Sequence, residues 1–323
     1  MDLLKKLTEC NSVSGNEKNI SNFIKEYVSS YADEIREDAL GNLIVRKKGA
    51  GKKIMLAAHM DEIGIIVTFI DEDGFIRFSS VGGLYTKELL GRRVQFENGT
   101  VGVISMDGDE KEPKIQKMFV DIGASNREEA QKCVKIGDTA CFMGELIKLS
   151  ENRVMSKAMD NRIGCYILLK ALEASDNPKN DMYFVFTTQE EVGLRGAKTA
   201  AYGVDPEIAV SVDVTDTGDI PKCPHMAVRL GMGAAIKVMD RSCMCNPYVR
   251  ELLINISKEN NIPYQLEVLT AGGTDAGAIN ISRGGVLTGG LSVPTRYIHS
   301  PSEVIDMADA QACTDIIVKL CNY

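Results

Sequence analysis

The chain has 323 residues, of which 44% are hydrophobic and 25% charged, an ordinary globular composition for one large domain plus a smaller one. Its formal net charge of −8 argues against nucleic acid and anionic membranes as partners, because both attract basic surfaces. Nine scattered cysteines favour reduced thiols over a disulfide framework, and no signal peptide or membrane span is recognisable, so we expect a cytoplasmic protein.

The N-terminal third predicts helices and then a buried strand that carries ionisable groups. Residues 14–17 have the spacing of a capping box, so we expect a helix over 17–30 behind it. The later stretch "IMLAAHMDEIGIIV" (54–67) is typical of a strand buried on both faces, yet it contains His59 and Asp61. Burying such groups costs free energy unless a partner compensates them, so this strand predicts a partner for His59.

A change in the sequence pattern near residue 68 indicates a second, smaller structural unit. The segments "TFIDEDGFIRFSS" and "GRRVQFENGTVGVISM" are typical of short strands, and Asp73–Gly74 and Asn98–Gly99 are hairpin signals. One helical stretch, "SNREEAQKC", interrupts them. The pattern predicts a β-rich module over residues 68–154, inserted into a larger domain made of residues 1–67 and 155–323.

Helices and strands alternate through the rest of the chain. The predicted helices are "DNRIGCYILLKALEAS", "GLRGAKTAAYG", "NPYVRELLINISKENN" and "DMADAQACTDIIVKLCNY". The predicted strands are "MYFVFTTQEE", "EIAVSVDVTD", "YQLEVL" and "GGVLTGGLSV". Such alternation predicts an α/β fold with a largely parallel sheet covered by helices.

Polar side chains follow these strands at their carboxyl ends, where ligands of open α/β sheets bind. They are His59, Asp61, Glu190, Glu191 and Asp213, with Asp160 at a helix start and His299 after the last strand. Imidazole and carboxylate suit zinc, cobalt or manganese. If Asp160, Glu191 and Asp213 are ligands, their charges and a bridging hydroxide balance two divalent ions. Without metal the carboxylates would repel one another and their pKa values would rise, so this edge predicts a two-metal site.

Five segments occur in an order and spacing that resemble a known family: "AAHMDEIG", "KAMDNR", "TTQEEVGLRGA", "SVDVT" and "TRYIHSPSE". The family is that of the glutamyl and deblocking aminopeptidases, dinuclear metallopeptidases also called tetrahedral aminopeptidases and in part labelled endoglucanase-like. The resemblance spans essentially the whole chain. It implies a three-layer α/β/α metallo-exopeptidase domain with an inserted β-rich dimerisation domain. It also implies homo-oligomers, in which dimers assemble into a dodecamer.

The resemblance further implies a role for each site residue. It assigns His59, Asp160 and Asp213 to one metal, Asp160, Glu191 and His299 to the other, and Asp160 to the bridge between them. Glu190 would be the general base, and Asp61 would orient His59 through its second ring nitrogen. The implied reaction is release of an N-terminal amino acid from short peptides, with two zinc, cobalt or manganese ions activating a shared water. An exchange of the base and ligand roles between Glu190 and Glu191 remains open.

Other functions are compatible with parts of the pattern. A deacylase of N-acyl amino acids would use the same metal core. A glycosidase would use paired carboxylates, but sugar sites favour aromatic stacking, and the chain has no Trp and 6% aromatic residues. A non-enzymatic regulatory or carrier protein would lack a ligand or the base, and none is missing.

Three further features invite weaker hypotheses. Cys223, His225, Cys243 and Cys245 include zinc-ligand types, but their spacing is not a standard one, and loop thiols need no metal. The glycine-rich stretch "LTAGGTDAGAINISRGG" lacks the pattern of a phosphate loop, and by resemblance it borders the substrate pocket. Arg296 is either a surface charge or a contact to substrate.

Overall fold

The computed structural model describes residues 1–108, 111–223 and 225–323. The helices in these residues are α1 (Asp2–Glu9), α2 (Lys18–Val28), α3 (Arg127–Cys133), α4 (Met159–Ala174), α5 (Arg195–Val204), α6 (Pro247–Glu259), α7 (Ala276–Ile279) and α8 (Met307–Cys321). The strands are β1 (Glu34–Glu37), β2 (Leu43–Lys47), β3 (Lys53–His59), β4 (Gly64–Ile70), β5 (Ile76–Val81), β6 (Arg93–Phe96), β7 (Val101–Met106), β8 (Met118–Asp121), β9 (Thr139–Phe142), β10 (Ile147–Lys148), β11 (Arg153–Ser156), β12 (Asp181–Thr187), β13 (Ile208–Thr215), β14 (Ala234–Met239), β15 (Tyr264–Val268), β16 (Leu287–Arg296) and β17 (Glu303–Asp306).

The described strands of the main domain form an 11-stranded sheet in the order β1-β2-β12-β3-β13-β16-β17-β11-β10. The sheet divides at β16, which also pairs with β14, and β15 then pairs with β14. The central strands β12, β3, β13 and β16 are mutually parallel. All eight residues of β13 are buried, as expected for a parallel strand covered on both faces. The carboxyl ends of these four strands therefore lie at one edge of the sheet.

The outer strands run differently from the largely parallel sheet that the sequence predicts. β1 and β2 are antiparallel, as are β2 and β12, β16 and β17, and β11 and β17. Only five residues separate β1 from β2, too few for a crossover connection, so that pair must be antiparallel. β14 was not among the predicted strands. The sheet is therefore mixed, with a parallel centre.

Helices cover both faces of this sheet, which confirms the three-layer α/β/α prediction. Along β3, Leu56 packs into a core with residues of α1, α2, α4, α6 and α8, while Met55 packs on the opposite face with α5 and α7. This is the alternation of faces that a strand imposes on successive side chains. None of the described helices combines the length and apolarity needed to cross a membrane.

A second unit of the described chain is a closed barrel of six strands in the order β4-β5-β8-β7-β6-β9. Its interior is a separate apolar core that includes Ile65, Phe78, Ile104 and Val120. The barrel strands lie between Gly64 and Phe142, whereas the sequence predicts the insertion over residues 68–154. Strands β10 and β11 follow the barrel and join the main sheet through β17. The inserted β-rich domain is thus a barrel whose first and last strands pair with each other.

The predicted capping box at residues 14–17 is wrong. Helix α2 begins at Lys18, and its N-cap residue, Glu17, makes no side-chain capping bond. The Ser14 hydroxyl instead donates to the Asp61 carboxylate at 2.6 Å. A tertiary partner for Ser14 has replaced the local bond that its sequence spacing suggests.

Candidate metal centre

Strand register brings the first site residues to one edge of the sheet. His59 is the last residue of β3 and pairs with Thr187 of β12, so the Glu190–Glu191 turn follows directly beside it. On the other side Ala57 pairs with Ser211, and two residues further along each strand lie His59 and Asp213. Three segments distant in sequence therefore deliver their polar side chains to the same place.

Asp160 and His299 complete the cluster from the opposite side. Asp160 lies in the first turn of α4, and His299 lies in the loop that follows β16. The carboxylate of Glu303 accepts a hydrogen bond from the backbone N–H of Asp160 at 2.9 Å and from that of His299 at 2.8 Å. Glu303 thus ties both segments together. No role for Glu303 was recognisable in the sequence, although this residue ends the "TRYIHSPSE" segment.

The Asp160 carboxylate stands between the two histidines. Its Oδ1 lies 3.0 Å from Nε2 of His59, and its Oδ2 lies 3.4 Å from Nε2 of His299. His299 Nε2 is also 3.3 Å from Oε2 of Glu191, and His59 Nε2 is 3.8 Å from Oδ1 of Asp213. Each oxygen of the Asp160 carboxylate therefore faces a different imidazole.

The described residues contain two sets of donor atoms that could each hold an ion. Within each set the atoms lie within 4.8 Å of one another. One set comprises His59, Asp160 and Glu191, and the other comprises His59, Glu190 and Asp213. Oε1 of Glu191 is buried and has no hydrogen-bond partner among the described residues. Imidazole and carboxylate donors, with a buried carboxylate oxygen still unpaired, fit divalent cations of the zinc, cobalt or manganese type.

The charges in this cluster are unfavourable without a cation. Burial raises the pKa of Glu190 well above its usual value, and the neighbouring Asp213 and Glu191 carboxylates raise it further. Burial and the nearby Asp160 raise the pKa of Asp213 in the same way. Burial alone would lower the pKa of His59, but Glu190 and Asp160 hold it well above its ordinary value. Despite burial, hydrogen bonds with His299 and His59 hold the pKa of Asp160 below its usual value. Positive charge thus already stabilises part of the cluster, and a metal ion would supply more of it to the crowded carboxylates.

The Asp61 carboxylate holds the turn that carries Glu190 and Glu191. It accepts hydrogen bonds from the backbone N–H of Glu190 at 3.0 Å and of Glu191 at 3.2 Å, and from the Ser14 hydroxyl. Nδ1 of His59 lies 3.2 Å from the backbone carbonyl of Asp61 and 3.6 Å from its carboxylate. The carbonyl is therefore the group of Asp61 placed to accept from His59, and the carboxylate serves the neighbouring turn.

The cluster opens into a cavity of about 480 Å³. Its wall includes Gly272, Gly273 and Thr274, so the glycine-rich stretch lies at the site, as the resemblance implies. Gly83 and Tyr85 also line it, and both belong to the segment that follows barrel strand β5. Both domains therefore contribute to one cavity.

Two buried groups close to the site were missed in the sequence. Glu62 pairs with Lys157 at 2.6 Å and with Arg162 at 3.3 Å, so its buried carboxylate lies between two cations and the group of three keeps one net positive charge. Asp275 accepts a hydrogen bond from the Thr187 hydroxyl, and burial raises its pKa to about 6. Glu62 stands in the quoted His59 strand, so burial of an acid there was a signal. Asp275 stands in the glycine-rich stretch, and no role was predicted for it.

The positions of the side chains bear on the two remaining hypotheses, which concern Arg296 and the cysteine and histidine residues of a possible zinc site. Arg296 makes a two-point ion pair with Asp219 at 3.0 and 2.7 Å and does not line the cavity. In the described ranges, the metal-donor clusters include none of Cys223, His225, Cys243 and Cys245, so a zinc site there has no support. Cys243 and Cys245 are instead buried beside Ala276.

Comparison with known proteins identifies relatives along the whole chain. Residues 41–316 match the family described as M42 glutamyl aminopeptidase. A protein of Acetivibrio thermocellus, named as a candidate aminopeptidase, is 53% identical over 321 residues, which cover 98% of this chain and 97% of the relative.

Solved structures share the fold. An aminopeptidase of the archaeon Desulfurococcus kamchatkensis has a TM-score of 0.96 at 40% identity, over 99% of this chain and 94% of that one. The TET1 peptidase of Pyrococcus horikoshii, described as assembling into a tetrahedron or a large octahedral shell, has a TM-score of 0.90 at 33% identity, over 99% and 98%. The structure named PhTET1-12s, with a TM-score of 0.92 at 33% identity over 99% and 98%, is a dodecamer. Since the family match covers most of the sequence and close structural relatives cover nearly all of it, the chain belongs to the M42 glutamyl aminopeptidase family and is a metallo-aminopeptidase, a peptide hydrolase.

Proposed function

We propose that the protein releases N-terminal amino acids from short peptides at a centre that holds two divalent ions. The observation that carries the proposal is the position of Asp160, whose two carboxylate oxygens face His59 and His299 separately. A single ion would need only one of these faces. Two overlapping sets of possible donor atoms, both of which include His59, lie in the same cluster.

The ligand assignment is the one that the family resemblance implies, and the contacts of Asp160 with His59 and His299 are compatible with it. His59, Asp160 and Asp213 would hold one ion, and Asp160, Glu191 and His299 would hold the other. When bound, the two ions would polarise the scissile carbonyl and make the attacking water more acidic. Zinc, cobalt and manganese all suit these donors, and the donor set does not choose among them.

Glu190 is proposed as the general base. Its side chain is 9% exposed and lines the cavity, so it can reach a water molecule there while remaining shielded from bulk solvent. Glu190 would take the proton of the attacking water and give it to the leaving amine. Asp61 holds the Glu190 backbone N–H and so limits where this carboxylate can lie. Asp61 would also orient His59, through the carbonyl that faces Nδ1.

The cavity size supports short substrates. A volume of about 480 Å³ lies in the range of sites for small ligands, ~300–1,000 Å³. It would accept the first residues of a peptide rather than a folded protein. A deacylase of N-acyl amino acids would fit the same space, and the choice between them depends on how a free α-amino group is received.

Cellular setting and assembly belong to the same proposal. All nine cysteines lie in the described residues and none is in a disulfide, which suits the cytoplasm. We propose that the insertion predicted over residues 68–154, whose barrel strands lie between Gly64 and Phe142, is the dimerisation domain. Residues 1–67 and 155–323, whose sheet β10 and β11 join, would form the catalytic domain. Dimers would then assemble into a dodecamer. The tetrahedral shell of the Pyrococcus horikoshii relative supports this arrangement.

Metal analysis combined with a substrate panel tests the function. We expect two zinc, cobalt or manganese ions per chain by elemental analysis, and we expect a chelator to abolish activity until metal is restored. Aminoacyl-nitroanilides and free-amino dipeptides should be hydrolysed, and N-acetyl amino acids should not. Full activity in metal-free protein would contradict the metal centre, and a preference for N-acetyl amino acids would select the deacylase instead.

A further inference from the structure

The barrel reaches the proposed metal ligands through two adjacent glycines, Gly82 and Gly83. They follow β5 directly and lead to Tyr85 at the cavity wall. A Cβ atom added to Gly83 would lie 3.0 Å from Nδ1 and 3.3 Å from Cε1 of His299. A Cβ atom added to Gly82 would lie 3.1 Å from Oε2 of Glu191. Contacts of 3.0–3.3 Å are tighter than most contacts of real Cβ atoms, so a side chain here would force these neighbours to shift by a few tenths of an ångström.

The contact lies on the side of the His299 ring that faces away from the carboxylates. Nε2 of His299 faces Asp160 and Glu191, and Nδ1 faces Gly83. His299 itself has a φ of +64°, an uncommon conformation for a residue with a side chain. A ring held on a strained backbone keeps its position only if its surroundings hold it there.

Ligand geometry has little tolerance. A constellation that binds a metal must be held within about 0.5 Å of its productive positions by the atoms packed around it. Glu303 fixes the His299 backbone N–H, but that bond leaves the ring free to rotate. Gly83 is packed directly against the ring, and a methyl group at that position would displace the ring and move Nε2 from its position facing Asp160 and Glu191.

We propose that Gly83 is a positioning residue for the second ion. The barrel supplies no ligand, yet its backbone at Gly83 sets the position of the His299 ring and so the affinity of the site formed by Asp160, Glu191 and His299. The inference rests on the proposed two-metal function and adds to it a role for the inserted domain in metal binding.

The test compares Gly83→Ala with a matched control. Gly83 does not have a left-handed φ, so alanine adds only the contact with His299, whereas Gly82 has a φ of +79° and would add backbone strain. Gly284 also lacks a left-handed φ, and a Cβ there would have no heavy atom within 4 Å, so Gly284→Ala is the control. We expect two ions in the wild type and in the control. Gly83→Ala should bind the second ion at least about tenfold more weakly, as when a group supporting a metal ligand is lost.

Elemental analysis after competition with a chelator measures this affinity without relying on activity. A second measurement is the thermal midpoint with and without metal, because an ion that binds only the folded state raises that midpoint. In the metal-free chain His299 can turn away from the added methyl group, so Gly83→Ala should keep a midpoint near that of the wild type. Its metal-induced rise should shrink. A lower midpoint in the metal-free state with an unchanged metal-induced rise would mean a merely structural role and would overturn the inference.

The remaining outcomes of this experiment also support or overturn the inference. Two ions bound with wild-type affinity in Gly83→Ala would overturn the inference. Fewer than two ions in the wild type would instead refute the proposed function on which it rests. If Gly83→Ala does not fold, the double variant Gly83→Ala/His299→Ala removes the contacting ring. Recovery of folding in the double variant would support the contact, and continued failure would show that another contact is responsible.

Discussion

Glu190 and Glu191 are neighbours in the chain, but their surroundings differ. Oε2 of Glu191 lies 3.3 Å from Nε2 of His299, and its other oxygen is buried without a hydrogen-bond partner among the described residues. The donor atoms of Glu190 group with His59 and Asp213, whereas those of Glu191 group with His59 and Asp160. Because the backbone N–H groups of both residues are held by one carboxylate, that of Asp61, the turn presents the two side chains in fixed but different directions.

Exchanging each glutamate for glutamine should therefore give different results. Glu190→Gln keeps the size of the side chain but cannot take a proton, so the metal content should stay at two. General acid–base catalysis contributes roughly 10²–10⁴-fold, so kcat should fall by about that factor, while KM changes far less. Glu191→Gln should lose or loosen one ion, because an amide is a poorer ligand than a carboxylate.

Elemental analysis and steady-state kinetics on both variants make the comparison. If Glu190→Gln loses an ion while Glu191→Gln keeps both, the base and ligand roles are exchanged. If neither substitution affects turnover, the proposed mechanism is wrong.

At the scale of single residues, the sequence could predict the residues proposed for direct roles in the centre. It could not predict the residues that hold them in place. His59, Asp160 and His299 stand at element ends in segments that resemble a known family, and the structure brings them together. Glu303 was not predicted, because its role depends on backbone N–H groups, one of which is 143 residues away. No local pattern reports a contact over that separation. The Gly83 contact with His299 is of the same kind.

At the scale of elements, a buried acid in the first turn of α8 connects this helix to the segment that precedes β14. Asp309, in the first turn of α8, accepts hydrogen bonds from the backbone N–H groups of Gly231 and Gly233, each at 2.7 Å. These glycines immediately precede β14. Burial raises the pKa of Asp309 to about 6, and Asp306 adds to the rise, while the two N–H groups and Arg153 oppose it.

This shift predicts a pH dependence of the free energy of unfolding. The native state keeps the Asp309 proton up to about pH 6, whereas the unfolded chain loses it near the ordinary pKa of 3.8. Between these values the native state binds more protons, so the Asp309 contribution to stability falls as pH rises from about 4 to 6 and stays low above that. Metal-free wild type and Asp309→Asn should be compared by chemical denaturation at several pH values. The variant should show a shallower decline, and an identical decline in both would contradict the assignment.

Element types were easier to predict from the sequence than their pairing. The helix α6 and the strands β12 and β13 match the predicted segments, because apolar periodicity is a local property. The direction of the outer strands and the pairing of β10 and β11 with the main sheet depend on partners far along the chain. Hydrophobic patterning carries no information about which strand lies next to another.

At the scale of the whole molecule, one strand of the barrel exposes two apolar side chains. Along β7, Val101 and Val103 are 42% and 39% exposed, while the residue after each, Gly102 and Ile104, is buried. A barrel strand that exposes valines rather than charged residues is suited to contact with another copy of the chain.

Charges on this strand should weaken assembly if the barrel joins subunits. Val101→Glu/Val103→Glu should give a smaller particle by light scattering, because burying unpaired carboxylates in a contact is costly. Ile281→Glu is the control, since Ile281 is 73% exposed and lies outside the barrel. Each chain carries every proposed ligand, so the smaller particle should still bind two ions per chain. A particle of unchanged mass would contradict the role of this strand.

The proposed ligands extend from His59 to His299, so they span most of the polypeptide. They meet only when β3, β12, β13 and β16 have all joined the sheet, and β16 and the loop bearing His299 come close to the C-terminus. During synthesis an N-terminal part of the chain can fold early, but it cannot contain a complete centre. It follows that a chain whose synthesis has not yet passed His299 lacks one of the proposed ligands and cannot form the complete centre.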